Sequence, residues 1–402
     1  MKKTLVALAA LAATSAFAQS TVTMYGSADV AYVNKTHTSA AGDTLSKTVG
    51  VGEGFNAGNR IGFRGTEDLG GGAAAGFVIE QGINLTNGQL FSTRAAAAGQ
   101  QLDGVAAAGN MPAGAYSTAT NRQAFVSASD KAIGEVRAGY QYTALYTVSS
   151  LSGYHLGSEQ PGGDLAHGTL SNGDFGGARA NGLTYIAPTM GGVTLTLQKG
   201  AATGREDVEI AAPANGKTVD KNNRWSILAN YTNGPLNASY AHTDFKTKSN
   251  AVAAGTVTTT IFGAVTAAST AAAGEKDQAN KLDQLAGSYQ LGAAKLTASY
   301  AKGQIRDAVT TTNSADTKAQ QFGAEYALGN ARPFVISGSA KITRANDSVV
   351  TFDAKSTQFG VRYDLSKRTM AYAMSGSVKN DAATGATIQE RKATAVGLYH
   401  SF

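Results

Sequence analysis

The last nine residues, Thr394-Ala395-Val396-Gly397-Leu398-Tyr399-His400-Ser401-Phe402, alternate with a period of two. Thr394, Val396, Leu398, His400 and Phe402 therefore share one face of an extended strand. A final strand with an apolar face and an aromatic end needs a partner for its edge, and pairing it with the first strand of a closed ring leaves no edge at all. That expectation organises the reading of the other residues.

The same alternation recurs along the chain, bounded by turn chemistry. Short Gly- or Asp/Asn-bearing turns fall at Glu67-Gly71, Asp130-Gly134, Pro188-Gly192, Asn233-Pro235, Leu291-Gly292, Leu328-Asn330 and Asp364-Lys367. Between them run longer Ala-, Gly-, Thr- and Asn-rich connections: His37–Gly58, Thr86–Ala119, Ala144–Gly177, Ala201–Asn222, Thr247–Gln278, Gln304–Asp316, Arg344–Asp353 and Asn380–Gln389. Seven short turns and eight long connections predict an all-β, 16-stranded antiparallel transmembrane barrel, with short periplasmic turns and long extracellular loops. A strand of about 10 residues tilted by about 45° covers roughly 24 Å, enough for the apolar layer of an outer membrane. A ring of that size is too wide for side chains to fill, so its interior is expected to be a polar, water-filled channel. The Ala-rich run from Ala251 to Ala273 reads as an exposed loop.

Beyond the first residues no apolar stretch approaches the roughly 20 that a membrane-spanning helix requires. At the N-terminus, Lys2 and Lys3, the apolar run from Leu5 to Ala13 and Ala16-Phe17-Ala18 predict a secretory signal peptide over residues 1–18 and a mature barrel over 19–402. Removing that segment lowers the formal net charge from +6 to +4, too mild for a nucleic-acid binder. The absence of cysteine excludes a disulfide scaffold, leaving hydrogen-bonded strands as the source of stability.

Three blocks carry a family resemblance: Thr21-Val22-Thr23-Met24-Tyr25-Gly26-Ser27-Ala28-Asp29-Val30, Arg60-Ile61-Gly62-Phe63-Arg64-Gly65-Thr66-Glu67-Asp68-Leu69-Gly70-Gly71-Gly72, and the ending Gly397-Leu398-Tyr399-His400-Ser401-Phe402. They resemble Gram-negative general porins of the neisserial and burkholderial type, as do Asn121-Arg122-Gln123-Ala124-Phe125-Val126 and Asn181-Gly182-Leu183-Thr184-Tyr185-Ile186-Ala187-Pro188. The resemblance implies a homotrimer in the outer membrane, with the third long loop folded inward to narrow each pore. It also implies passive diffusion of small hydrophilic solutes and ions, with a weak anion preference, without catalysis or cofactor. The implied partners are outer-membrane lipid, lipopolysaccharide and the barrel-assembly machinery, for which Phe402, His400 and Leu398 form the expected assembly signal.

Selectivity in a wide pore needs fixed charges at its narrowest part, where low-dielectric walls strengthen each charge. Arg60 and Arg64 share one face of a strand while Ile61 and Phe63 share the other, so both guanidiniums are expected in the lumen. The same parity places Arg137 and Glu80 there. Arg122 and Arg179, at strand margins, join them as candidates, and Glu159, Asp164 and Asp174 are the acids the third loop would bring to face this basic wall. Three loop acids against a few arginines predict mild selectivity.

Other motifs carry less. Gly70 to Gly76 lacks the Lys-Ser/Thr of a phosphate loop and reads as a tight turn. His242 and Asp244 share a strand face, two elements of a hydrolase site without a placed nucleophile. The five histidines, His37, His155, His167, His242 and His400, lack metal-ligand spacing, so no metal site is assigned.

Overall fold

The computed structural model describes residues 21–86, 121–151, 179–201, 207–212, 216–252, 255–261, 264–271, 274–306, 314–382 and 388–402. The predicted loop acids Glu159, Asp164 and Asp174, His155 and His167, and the predicted signal segment lie outside the described residues.

The first strands are β1 (Thr21–Ser39), β2 (Thr44–Glu53), β3 (Arg60–Gly70), β4 (Ala73–Gly82), β5 (Asn121–Asp130) and β6 (Gly134–Tyr142), followed by helix α1 (Ala144–Leu151). The chain continues through β7 (Arg179–Ile186), β8 (Val193–Ala201), β9 (Asp207–Ala212), β10 (Gly216–Asn233), β11 (Leu236–Val252), β12 (Gly255–Ile261) and β13 (Ala264–Ala271). It ends with β14 (Gly274–Leu291), β15 (Ala294–Ile305), β16 (Ala315–Tyr326), β17 (Ala331–Arg344), β18 (Val350–Asp364), β19 (Thr369–Asn380) and β20 (Ile388–Ser401).

Sixteen of these strands close a ring of antiparallel neighbours, in which β1 pairs with β3 on one side and β20 on the other. The seven short turns fall where turn chemistry puts them. The longer connections differ from expectation because Thr- and Val-rich segments find hydrogen-bonding partners. β2 pairs with Val30 to Thr38 of β1 and β9 with Gly216 to Lys221 of β10, while β12 and β13 form a separate hairpin inside the run from Ala251 to Ala273 expected to be a bare loop. The expected connection Arg344–Asp353 shrinks because β18 already begins at Val350.

On the outer face, Val22, Met24, Phe63, Ile79, Val126, Leu285, Phe322, Phe359, Val396 and Leu398 are exposed large apolar side chains. Exposed aliphatic and aromatic side chains in such a ring are the lipid-facing half of the alternation. The inner face is less uniformly polar than expected. Leu228, Ala241, Leu282, Ala286 and Ala301 form a buried apolar stripe, and Ala144, Leu145 and Val148 of α1 pack on it. The sequence supports this helix locally: Thr143 caps it by accepting the Tyr146 N–H at 3.2 Å, and its apolar residues fall on one side. Gln284 then donates to Ser149 Oγ at 3.0 Å, fixing α1 to the β14 wall. The third connection thus starts with a helix lying against the inner wall, where the loop was expected to fold inward but no helix was foreseen.

The seam is held twice. Gly26 and Phe402 exchange backbone hydrogen bonds, N–H to O at 3.0 and 3.2 Å, and the Phe402 ring lies over Gly26. Deeper in the wall, the Tyr372 ring crosses over Gly397, where a Cβ would meet its Cζ at 2.4 Å, and its hydroxyl donates to Asp29 Oδ1 at 2.5 Å. One side chain therefore ties β19 to β1 across β20. Asp29 is fully buried and also accepts from the Asn56 and Ala57 amides at 2.5 and 2.7 Å, satisfying the backbone where the stave breaks between β2 and β3.

Gly397→Val is expected to displace Tyr372 from Asp29 and destabilise the seam by about 1–3 kcal/mol. Phe402→Ser removes the ring over Gly26. In both variants the folded, fast-migrating band on unheated gels should melt at lower temperature than in the parent, and unchanged melting would refute this account of closure.

Candidate functional site

The lumen-facing side chains of β1 and β3 to β7 gather around Glu80. Parity on β4 turns Glu80 inward, beside exposed Ile79. Its Oε1 accepts from Arg122 Nε at 2.6 Å and from the Tyr142 hydroxyl at 3.1 Å, while Oε2 accepts from the Tyr25 hydroxyl at 3.1 Å. Arg122 Nη2 donates to the Tyr142 oxygen at 2.9 Å. Tyr25 reaches Glu80 by lying over Gly62 of β3, where a Cβ would meet the ring at 2.5 Å. This repeats the device at the seam, a tyrosine crossing a glycine to a carboxylate two staves away.

Strict alternation from Val126 and Ala128 would send Arg122 to the lipid side. The register explains why it does not: Glu80 pairs with Gln123 but Gln81 pairs with Asn121, so Arg122 is the extra residue of a β-bulge. The bulge turns the guanidinium inward, where it and Glu80 keep only 12% and 5% side-chain exposure.

The remaining arginines divide into two groups. Arg137 forms a two-pronged pair with Glu135, Nε to Oε1 and Nη2 to Oε2 both at 2.8 Å, and lies over the Phe125 ring. Its charge is compensated locally. Arg60, Arg64 and Arg179 make no ion pair with the described residues. Arg64 lies 5.3 Å from the Tyr25 ring centroid, and Arg179 lies 5.1 and 5.9 Å from those of Tyr142 and Tyr146, whose rings stack at 4.3 Å. Cation–π contact orients a guanidinium without cancelling its charge. Arg60 acts electrostatically on both Glu80 and Tyr25.

The structure thus brings Arg60, Arg64, Glu80, Arg122 and Arg179 to one stretch of inner wall, with Arg137 on the same wall but held by its own carboxylate. Tyr25, Tyr142 and Glu135 were not singled out from the sequence. The legible signal for Tyr25 was its place on the face of Ser27 and Asp29, opposite a glycine. Farther round the ring, inward Arg332 pairs with Asp364 at 2.6 Å and inward Arg362 with Glu325 at 2.5 Å, two further compensated charges.

His242 does not join Asp244 in a catalytic arrangement. On the outer face its Nδ1 lies 2.8 Å from Asp283 Oδ1, and its ring sits 5.2 Å from that of Trp225, while neighbouring Ser226 and Thr243 bond to each other with buried hydroxyls facing inward. Among the described residues no three His, Asp or Glu side chains cluster as metal ligands.

A closed ring of sixteen strands, lipid-compatible outside and charged along part of its inner wall, defines an integral outer-membrane barrel of the channel-forming class. Residues 4–383 match the Gram-negative porin family, and the chain belongs to that family. It is 36% identical over 255 residues to outer membrane porin protein 32 of Delftia acidovorans, a match covering 61% of each chain. It is 27% identical to an outer membrane porin protein of Bordetella pertussis over 75% of this chain and 69% of that protein. Among solved structures, an anion-selective porin from Comamonas acidovorans superposes with a TM-score of 0.64 at 23% identity, covering 96% of this chain and all of that one. Family and fold point to a channel, not an enzyme.

Truncating one member of the Arg122–Glu80 pair leaves a buried charge alone, a loss that costs about 3–5 kcal/mol. Arg122→Ala and Glu80→Ala should each lower the melting temperature of the folded barrel more than the double variant's cost, split equally, would predict. Additive effects in this double-mutant cycle would show that the pair is not coupled.

Proposed function

We propose that the protein forms a water-filled channel for passive diffusion of small hydrophilic solutes and ions, with a weak preference for anions. The observation that carries the preference is the imbalance on the inner wall: Arg122 and Arg137 are neutralised by Glu80 and Glu135, whereas Arg60, Arg64 and Arg179 have no ion-pair partner among the described residues. Low-dielectric walls make such uncompensated charges act strongly on passing ions. The anion selectivity carried in the name of the Comamonas relative agrees in sign.

The aromatic faces of the cluster are already engaged, Tyr142 by Tyr146 and Arg179, and Tyr25 by Arg64, so they offer no free track for stacking sugars. A general sieve therefore fits better than a substrate-specific channel. Export directed by residues 1–18, assembly as a homotrimer, recognition of Phe402, His400 and Leu398 by the barrel-assembly machinery, and association with lipopolysaccharide complete the proposal. Leu398 and His400 lie on the outer face, where His400 Nδ1 is 3.0 Å from Thr369 Oγ1.

The test is the zero-current potential across a planar bilayer under a salt gradient. The parent should favour anions, Arg60→Gln with Arg64→Gln and Arg179→Gln should shift the potential toward cations, and Arg137→Gln with Glu135→Gln should leave it unchanged. Discrete conductance steps with no shift in the triple variant would keep the channel and refute the filter.

A further inference from the structure

Helix α1 touches two parts of the lumen wall at once. Its Ala144, Leu145 and Val148 rest on the apolar stripe of β10, β11, β14 and β15, while Tyr146 reaches β6 and β7. There its ring stacks on Tyr142 of β6 at 4.3 Å, with 8° between the planes, and Arg179 of β7 lies 5.9 Å from its centroid. Arg179 is the residue at which the described chain resumes after α1, so both ends of the third connection meet on this ring.

Little else holds Arg179. Its Nε is buried without a hydrogen-bond partner among the described residues. The faces of Tyr142 and Tyr146 therefore set where this charge sits. Tyr142 is itself shared, because its hydroxyl also bonds Glu80 and Arg122. A displacement of α1 would move Tyr146 and, through the stack, disturb the whole cluster.

Apolar contact is non-directional, so the stripe alone would keep α1 against the wall without fixing its rotation or its position along the pore. Two buried amides supply that direction. At the start of the helix, Gln198 of β8 donates to the Tyr142 carbonyl at 3.0 Å and to Thr184 Oγ1 at 3.2 Å, and accepts from Arg224 Nη2 of β10 at 3.5 Å. At its end, Gln284 of β14 donates to Ser149 Oγ at 3.0 Å, and that hydroxyl donates to the Leu145 carbonyl at 2.9 Å. Gln198 and Gln284 are only 7% and 1% exposed, so water does not compete for these bonds.

We propose that Gln198 and Gln284 are positioning residues of the ion filter. By locking α1 at both ends they hold Tyr146, and through it Arg179, where the guanidinium acts on passing anions. The inference rests on the anion preference proposed above and assigns part of it to uncharged groups on β8 and β14.

The test combines zero-current potentials of the full-length protein in planar bilayers with the mobility of a nitroxide attached through Ser150→Cys. Ser150 is an exposed position of α1, and the chain has no other cysteine to take the label. Tyr146→Leu, Gln284→Leu and Gln198→Leu should each shift the potential toward cations, the direction of Arg179→Gln, although none of them removes a charge. Added to Arg179→Gln they should shift it no further, because they act through that guanidinium. Tyr146→Phe keeps the ring and should match the parent. Ser149→Ala breaks the second anchor without altering the wall and should reproduce Gln284→Leu, so a folding defect of the wall variants does not decide the matter. The label should be constrained in the parent and freed in the Gln198, Gln284 and Ser149 variants. If Arg179→Gln shifts the potential but the anchor variants do not, the inference fails and the filter stands. A label as mobile in the parent as in the variants would show that α1 is not locked, and would overturn the inference as well. If neither Arg179→Gln nor any anchor variant shifts the potential, the filter reading falls together with it.

Discussion

Everything in this structure follows from the cost of an unpaired peptide group in hydrocarbon. Water is absent there, so each N–H and C=O must find a partner within the protein, and a sheet can do this only by closing on itself. The pairing of β1 with β20 is consequently the contact on which the other strands depend. Once the ring is closed, alternation alone separates lipid-facing from lumen-facing chemistry, and the wall is one residue thick. Inward-facing charged groups and apolar groups that seat the barrel in lipid are then sequence neighbours, as Glu80 and Ile79 are.

The thin wall also governs how the inner charges are held. A packed core would fix a side chain by surrounding it, but a lumen offers neighbours only along the wall. Arg122, Arg64 and Arg179 are instead fixed by tyrosines and a carboxylate on adjacent staves, and α1 supplies Tyr146 from the interior side. Aromatic contact leaves a guanidinium charged and pre-oriented toward passing solutes, whereas a carboxylate contact cancels it. The same residue type is therefore ion-paired at positions 122 and 137 and, on the proposed reading, contributes its charge to the pore field at 60, 64 and 179.

Much of the fold was legible because a period of two and turn chemistry are strictly local signals. The seven short turns, the strand number and the inward faces of Arg60, Arg64 and Glu80 need nothing beyond parity. Arg122 was uncertain for a definite reason: its direction depends on a bulge, a property of the pairing between β4 and β5 and not of either strand alone. Helix α1 was missed because eight residues with two serines have little helical signal until the inner stripe of β10 to β15 receives them. The hairpin of β12 and β13 was missed because Ala and Thr in alternation suit a loop or a strand equally, and only the partner decides.

The crossing of Tyr372 over Gly397 to Asp29 has a temporal side. The chain is made from its N-terminus, so Asp29 is synthesised 343 residues before the tyrosine whose hydroxyl it accepts. Until β19 and β20 swing into place, that carboxylate has only the Asn56 and Ala57 amides as partners and its other oxygen stays in water at little cost. Once they do, it becomes buried and tied in the same event that seals the ring. The polar contact therefore offers no reward to a partly assembled sheet and its full reward to a complete one, which makes closure an all-or-none step and disfavours rings with one strand too few.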